Sequence, residues 1–110
     1  YFIERIHYEY NEKIPIYITE NGMANKDFLD EKNEITDEDR IEYFDLHLKE
    51  VLKCLHKGIP IKGYFAWSLM DNYEWSFGYE KRFGMVYVDY QSFKRIPKKS
   101  YYEFQKNLCV

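Results

Sequence analysis

Residues 14–22 read IPIYITENG, and this stretch decides the fold class because it predicts a short buried strand with a carboxylate at its end. β-branched and aromatic side chains favour strands, and Asn21-Gly22 is a turn signal that closes the run. Glu20 is therefore expected at the carboxyl end of the strand. On its own, a strand-end glutamate is more often a solvated side chain than a functional one, so neighbouring segments must show whether it has a role.

Helices are predicted on both sides of this strand. Upstream, residues 1–10 place apolar side chains four apart, the repeat of one helix face, and Pro15 prevents that helix from continuing. Residues 23–34 are rich in Asp, Asn and Lys and predict a surface loop. Downstream, Thr36 is the expected cap of a second helix, which has an acidic first turn and stops at residues 58–60. Its apolar face repeats at three-to-four spacing and consists of Ile41, Phe44, Leu48, Val51, Leu52 and Leu55.

A second strand is predicted at residues 61–69, which read IKGYFAWSL and place Trp67 near the carboxyl end. Strand, helix and strand make one βαβ unit, whose strands are parallel and whose crossover is right-handed. Glu20 and Trp67 should then meet at the sheet edge where α/β barrels keep their active sites. A further strand or hairpin arm is expected at 84–90, and a last helix at 98–108.

Two parallel strands with open edges and uncovered faces would not be stable alone. We therefore expect that chain preceding Tyr1 completes the sheet, so that residues 1–110 are one incomplete domain.

Composition argues against several function classes. The chain has 16 basic and 19 acidic residues and a net charge of −3, which favours neither nucleic acid nor a membrane surface as a partner. It has no apolar stretch of about 18 residues, the length that would predict a membrane span. Cys54 and Cys109 are too few for a disulfide scaffold and favour free thiols in a reducing compartment, so we expect a cytoplasmic protein.

Residues 67–75 (WSLMDNYEW) concentrate two tryptophans, two acids and an amide. One interpretation is that Trp67 and Trp75 are core residues and that Asp71 and Asn72 cap a turn. The other is a sugar site, because sugar ring faces stack on aromatics while carboxylates and indole N–H groups fix the hydroxyls. Glycoside hydrolysis with retention of configuration needs two carboxyl groups about 5 Å apart, and Glu20 is suited to be one of them.

Three motifs together resemble glycoside hydrolase family 1. They are ITENG at 18–22, WSL followed by DNYEW within 67–75, and GYEKRFG at 78–84, in the order and spacing of the family. Asp89 and Lys94-Arg95 continue the pattern. The resemblance implies an α/β fold, namely the C-terminal part of a (β/α)8 TIM barrel with its seventh and eighth strands and the helices that follow. It also implies a retaining β-glucosidase-like hydrolase that needs no cofactor.

The resemblance assigns roles to five residues. Glu20 corresponds to the nucleophile that forms a glycosyl-enzyme intermediate, and Trp67 to the platform under the sugar. Glu74 corresponds to a carboxylate that accepts hydrogen bonds from two sugar hydroxyls, usually O4 and O6. Trp75 corresponds to an indole that donates to O3, and Phe83 to an aromatic wall near the sugar.

Glu74 also bears on which sugar is expected. Relatives that take 6-phosphorylated sugars place a small hydroxyl residue there, with a lysine and a tyrosine at the positions of Lys81 and Phe83, so this chain matches only the lysine. A carboxylate would repel a phosphate dianion, so the expected substrate is a non-phosphorylated β-glucoside, galactoside or fucoside. A 6-phospho-β-glucosidase is the less favoured possibility. Asp71 and Arg82 are expected to hold the loop in shape without contacting the sugar.

The general acid/base of the family is a glutamate in an Asn-Glu-Pro sequence, which does not occur in this chain. The 110 residues alone are therefore expected to be inactive. The sequence is also compatible with a sugar-binding protein without catalysis and with a purely structural α/β subdomain. His7, His47 and His56 lie on predicted helices without a second ligand at zinc-like spacing, so no metal is expected.

Overall fold

The computed structural model describes residues 1–10 and 13–108. The described residues form three α-helices, four strands and one turn of 3₁₀ helix. In chain order these are α1 (Phe2–Glu9), β1 (Ile16–Asn21), α2 (Glu38–His56), β2 (Ile61–Ala66), the 3₁₀ turn (Trp75–Phe77), β3 (Val86–Val88), β4 (Arg95–Pro97) and α3 (Lys99–Leu108). None of the helices found in these two ranges is long and apolar enough to cross a membrane.

Strands β1 and β2 pair in parallel, with Ile16 opposite Ile61 and Asn21 opposite Ala66. With α2 between them, they form the βαβ unit that the sequence predicts. Glu20 is the last residue but one of β1, as expected. Strand β2 ends three residues earlier than the prediction, because after Trp67 the backbone turns away and the N–H of Ser68 donates to the carbonyl of Phe83 at 3.1 Å.

The apolar core lies where α1 and α2 pack on the two parallel strands. Its centre is Cys54, a buried free thiol, with Ile59 and Ile61; Cys109 lies outside the described residues. Towards the start of α2, Phe44 is 3% exposed and its ring meets Phe104 of α3 edge-on, with 5.2 Å between the centroids. The end of the predicted apolar face differs, because Leu52 and Leu55 are exposed in this chain.

The predicted cap of α2 is wrong. The N-cap residue is Asp37 and not Thr36. The Asp37 carboxylate turns to the other helix of the pair, where it accepts hydrogen bonds from the backbone N–H of Ser100 at 2.9 Å and from the Ser100 hydroxyl at 2.6 Å. Asp37 therefore ties the beginnings of α2 and α3 together, which a sequence rule for a single helix could not indicate.

The segment predicted as a strand or hairpin arm at 84–90 contains β3, which pairs with β4 in an antiparallel hairpin. Strand β4 is not predicted from the sequence, because it has only three residues and two exposed side chains. Asp89 closes the turn between β3 and β4. Its carboxylate accepts a hydrogen bond from the N–H of Gln91 at 2.9 Å, and its carbonyl accepts one from the N–H of Phe93 at 2.7 Å. The hairpin delivers the chain to α3, which begins one residue later than predicted.

Candidate active site

An open cleft of about 330 Å³ lies at the carboxyl ends of β1 and β2. It contains four of the five predicted site residues, namely Glu20, Trp67, Glu74 and Phe83, together with Asn21, Gly22 and Tyr43. The fifth predicted residue, Trp75, follows Glu74 but lies outside the cleft and is 83% exposed. The fold thus joins the end of β1 to the loop after β2, as the sequence predicts. The roles given to these residues stay predictions.

The two strand ends can meet because Gly22 has no side chain. A Cβ built on Gly22 would lie 1.6 Å from the carbonyl oxygen of Trp67, closer than any real contact. Just before it, the N–H of Trp67 donates to the carbonyl of Asn21 at 2.7 Å. The peptide bond between Trp67 and Ser68 is cis. The close approach at Gly22 and the hydrogen bond between Asn21 and Trp67 fix the main chain beside Glu20 against the main chain that carries the Trp67 ring.

The amide side chain of Asn21 is held by two tyrosines at the edge of the cleft. The Tyr64 hydroxyl donates to Asn21 Oδ1 at 2.6 Å, and Asn21 Nδ2 donates to the Tyr43 hydroxyl at 3.1 Å. Burial, with a smaller contribution from Tyr43, raises the pKa of Tyr64 to about 12, so its hydroxyl keeps the donated proton at neutral pH. In the sequence, Asn21 reads only as a turn residue, and Tyr43 lies beside the apolar stripe of α2 and gives no spacing signal for a site.

A tight turn presents Glu74 to the cleft. The N–H of Glu74 donates to the carbonyl of Gly78 at 2.7 Å, and the N–H of Phe77 donates to the carbonyl of Glu74 at 2.8 Å. Gly78 has a φ of 55°, which glycine adopts without a steric penalty. The turn leaves Glu74 half-buried and Trp75 pointing outward.

Asp71 and Arg82 lie inside the loop that carries Glu74, as the sequence analysis expected. Asp71 is buried and accepts hydrogen bonds from the N–H of Gly84 at 3.0 Å and from Arg82 Nη1 at 2.6 Å. A Cβ on Gly84 would come within 2.1 Å of the Asp71 nitrogen, so the two segments touch through backbone. The Arg82 guanidinium lies 4.0 Å from the ring centroid of Tyr87 and 4.7 Å from that of Tyr90. These stacking contacts further restrict the position of Arg82.

Beneath the loop, six charged side chains form a network that we call the ion network, and all but Arg82 are buried. Its members are Asp27, Asp37, Asp71, Arg40, Arg82 and Lys98. Arg40 donates to both carboxylate oxygens of Asp27, at 3.2 and 2.8 Å. Burial acts to lower the pKa of Arg40, but hydrogen bonds and charge from Asp27 and Asp37 outweigh it and raise that pKa, so Arg40 is a permanent cation.

Asp27 corrects the prediction for residues 23–34. These residues are irregular, as expected of a loop, but Asp27 is buried and not on the surface. A polar composition could not reveal it, because the partners that compensate its charge come from distant parts of the chain. Within residues 1–10 and 13–108, no three His, Cys, Asp or Glu side chains are arranged to hold a metal ion.

Known proteins are similar to this sequence over nearly its whole length. The sequence profile of glycosyl hydrolase family 1 matches residues 1–108. The chain is 47% identical to β-glucosidase A of Thermotoga maritima over 102 residues, which are 93% of this chain and 23% of that protein. It is also 47% identical to the 6-phospho-β-galactosidase of Leptotrichia buccalis, over 94% of this chain and 22% of that protein. The chain therefore spans less than a quarter of the length of these relatives.

Solved structures are similar to this fold over nearly the whole chain. The β-glucosidase of Thermotoga maritima in complex with castanospermine superposes with a TM-score of 0.94 at 45% identity, over 97% of this chain and 24% of that one. The same enzyme in complex with deoxynojirimycin gives a TM-score of 0.92 at 46% identity, over 96% of this chain and 24% of that one. The βαβ unit and hairpin thus match part of a TIM-barrel enzyme. With the family profile spanning residues 1–108, this chain belongs to glycosyl hydrolase family 1.

Proposed function

We propose that this chain carries the nucleophile and the sugar-reading loop of a retaining β-glucosidase-type hydrolase. The observation that carries the proposal is the cleft that joins Glu20 with Trp67, Glu74 and Phe83. A carboxylate, an aromatic platform and a second carboxylate on one surface are the groups that a glycoside needs for attack, stacking and hydroxyl recognition.

In this proposal Glu20 attacks the anomeric carbon. A bond forms between its carboxylate oxygen and C1, and the bond from C1 to the aglycone oxygen breaks. The leaving oxygen takes a proton from a general acid outside these 110 residues. Water then cleaves the glycosyl ester, gives its proton to the same group, and releases the sugar with its configuration retained.

The proposed substrate is a non-phosphorylated β-glucoside, with a galactoside or fucoside as related possibilities. The relatives do not decide between plain and phosphorylated sugars, since they include both β-glucosidases and 6-phospho-β-galactosidases. Glu74 supports the plain sugar, because a carboxylate lining the cleft would repel a phosphate dianion and can accept hydrogen bonds from neutral hydroxyls. A larger rate on a 6-phosphoglucoside than on the glucoside would contradict this assignment.

We further propose that the segment supplies the seventh and eighth strands of a (β/α)8 barrel and works only within a longer polypeptide. The open edges of the β1–β2 sheet support this, because strands with unpaired edges need neighbours. The acid/base carboxyl would come from another strand of the same barrel. The experiments below accordingly use the complete protein, or a chimera in which residues 1–108 replace the matching segment of the Thermotoga maritima β-glucosidase.

Glu20→Gln tests the proposal. Glutamine keeps the shape of the side chain but cannot act as the anionic nucleophile, so kcat for an aryl β-glucoside should fall by at least about 1,000-fold. Glu80→Gln is the matched control, because Glu80 is an exposed acid that does not line the cleft and should leave kcat unchanged. An active Glu20→Gln variant would refute the assignment.

A sugar-binding protein without catalysis is the second candidate, because the same cleft would hold a sugar in the absence of a general acid. Calorimetric titration with a glucose-like inhibitor separates the two. If the wild-type protein binds the inhibitor but hydrolyses no aryl β-glucoside, β-galactoside or β-fucoside, the result would favour a sugar-binding protein without catalysis.

A further inference from the structure

We propose that Lys98 is a positioning residue that sets where Glu74 stands relative to Glu20, by tying the loop after β1 to the loop after β2. The inference rests on the proposed function and goes beyond it, because Lys98 does not line the cleft and its ammonium group donates to Asp27 and Asp71, neither of which is a predicted site residue. It acts through Asp27 on one side and Asp71 on the other.

The ammonium group of Lys98 bridges these two loops directly. Its Nζ donates to Asp27 Oδ2 at 2.5 Å and to Asp71 Oδ1 at 2.8 Å. The Lys98 side chain is 0% exposed, and the two carboxylates are 1% and 0% exposed. Asp27 lies on the chain that leaves Glu20, and Asp71 lies three residues before Glu74. One buried cation therefore joins the segment carrying the proposed nucleophile to the segment carrying the proposed sugar-reading carboxylate.

The main chain shows the same connection. The N–H of Asn25 donates to the carbonyl of Arg82 at 2.9 Å, and the N–H of Arg82 donates back to Asn25 at 3.2 Å. Lys98 itself is anchored, because its N–H donates to the carbonyl of Met85 at 2.9 Å and its carbonyl accepts from Tyr101 at the start of α3. The backbone of Lys98 is thus held by hydrogen bonds to Met85, just before β3, and to the start of α3.

The charges explain why a lysine is required between these loops. The three carboxylates of the ion network face three cations, so the network is neutral when all are ionised. Without Lys98 the carboxylates of Asp27 and Asp71 would share a buried region with one cation too few. Since like charges in a region of low dielectric repel strongly, the two loops would move apart or admit water. Glu74 would then move relative to Glu20.

Lys98→Met tests the bridge, because methionine fills a similar volume without charge. The decisive measurement is the ratio of kcat/KM for an aryl β-glucoside to kcat/KM for the matching β-xyloside, which lacks the C6 hydroxymethyl group that Glu74 is proposed to read. We expect the ratio to fall at least about tenfold, since a displacement of about 1 Å can cost as much as 100-fold. The ratio does not depend on how much of the protein is folded, so a purely structural loss would leave it unchanged.

Lys99→Met is the matched control. Lys99 is the neighbouring lysine, and it pairs with Glu38 at the surface, where its side chain is 46% exposed. A surface pair contributes little, so this variant should keep the wild-type ratio. An equal fall of the ratio in both lysine variants would overturn the proposal.

A second variant, Lys98→Met with Asp27→Asn, removes the bridge but restores the charge balance. Its melting temperature should recover towards the wild-type value, while the substrate ratio stays low. A wild-type ratio in this variant would show that the ammonium bridge does not position Glu74. If Glu20→Gln abolishes activity in the same protein, the proposed function stands whichever way the Lys98 result falls.

The route through Glu74 can be measured separately. In a Glu74→Gln background the contact that Lys98 is proposed to position is already weakened, so adding Lys98→Met should change the ratio little further. A full additional tenfold fall would mean that Lys98 acts on a different group, because independent effects add.

Discussion

At the scale of single residues, Gly22 decides whether the cleft can form. The glycine lets the main chain after Glu20 pass against the carbonyl of Trp67, where no side chain has room. Its neighbour on the strand, Asn21, pairs with Trp67 through the backbone. The proposed nucleophile and the proposed sugar platform are thus joined by main-chain contacts, which hold their separation more rigidly than side chains could.

Gly22→Ala should therefore damage both stability and activity. The added methyl would meet a backbone oxygen that cannot rotate away, so we expect a loss of about 3 kcal/mol in unfolding free energy and a fall of about 100-fold in kcat. Chemical denaturation and initial rates measure the two effects.

Gly58→Ala provides the comparison for Gly22. Gly58 has a φ of 80° and no atom within 4 Å of a built Cβ, so alanine there should cost only about 1 kcal/mol of backbone strain. Activity should be unchanged. Equal effects of the two glycine substitutions on kcat would show that closeness to Trp67 is not what matters at Gly22.

Residue-level prediction from the sequence succeeded where local pattern carried the information. Glu20 and Trp67 could be placed because each lies at the carboxyl end of a recognisable strand, and parallel strands end at the same edge. Asp27 and Lys98 could not be recognised, since a buried charge is identified by partners that lie up to 71 residues away in the chain. The exposure of Trp75 follows from a tight turn that no spacing rule indicated.

At the scale of elements, Asp37 couples the two helices that pack beside the strands. It precedes α2, yet its carboxylate binds the first turn of α3 through Ser100 and also pairs with Arg40. The side chains of Asp37 and Arg40 are both 0% exposed. The α2–α3 pair is therefore joined by a charged contact at one end, near its aromatic contact between Phe44 and Phe104.

Asp37→Ala should lower the unfolding free energy by about 3 kcal/mol, because it leaves Arg40 with one carboxylate fewer in a buried position. Asp39→Ala is the control, since Asp39 is an exposed acid in the first turn of the same helix. Its loss should cost no more than about 1 kcal/mol. Urea unfolding of the complete protein measures both values, and equal losses would argue against a joint role in α2 and α3.

The elements themselves were largely predictable. The stop signals and the period of α2 located that helix to within about two residues, because its apolar stripe is long. The cap was wrong because Asp37 serves a tertiary contact, and β4 was missed because three residues give too short a pattern. Short elements are defined by their partners and not by their own sequence.

At the scale of the whole molecule, much apolar surface faces outward. The exposed large side chains include Phe2 at 76%, Tyr17 at 57%, Leu52 at 53% and Phe65 at 59%, from α1, both strands of the parallel sheet, and α2. Soluble proteins rarely leave so many apolar side chains uncovered on neighbouring elements. This distribution supports the proposal that further strands and helices cover them.

The isolated chain should accordingly be poorly stable and inactive. We expect it to aggregate or elute as a broad oligomer in size-exclusion chromatography, to unfold without a cooperative calorimetric transition, and to hydrolyse no aryl β-glucoside. The chimera with the Thermotoga maritima β-glucosidase is the control. In it the same residues should fold and the protein should hydrolyse the aryl β-glucoside. Cooperative unfolding of the isolated chain as a monomer would contradict the proposed barrel segment, and robust turnover would contradict the two-carboxylate mechanism.

The placement of the tryptophans has a spectroscopic consequence. The chain has two, Trp67 and Trp75, and both lie in the loop after β2. Trp75 is 83% exposed and Trp67 is 37% exposed, so the indole emission of the isolated segment originates entirely from this loop, from one largely hydrated ring and one partly buried ring. Docking of the strands and helices that are proposed to complete the barrel would shift that emission to shorter wavelength, and a quencher in solution would lose access to it. The segment thus contains its own optical reporter of assembly, with no label required.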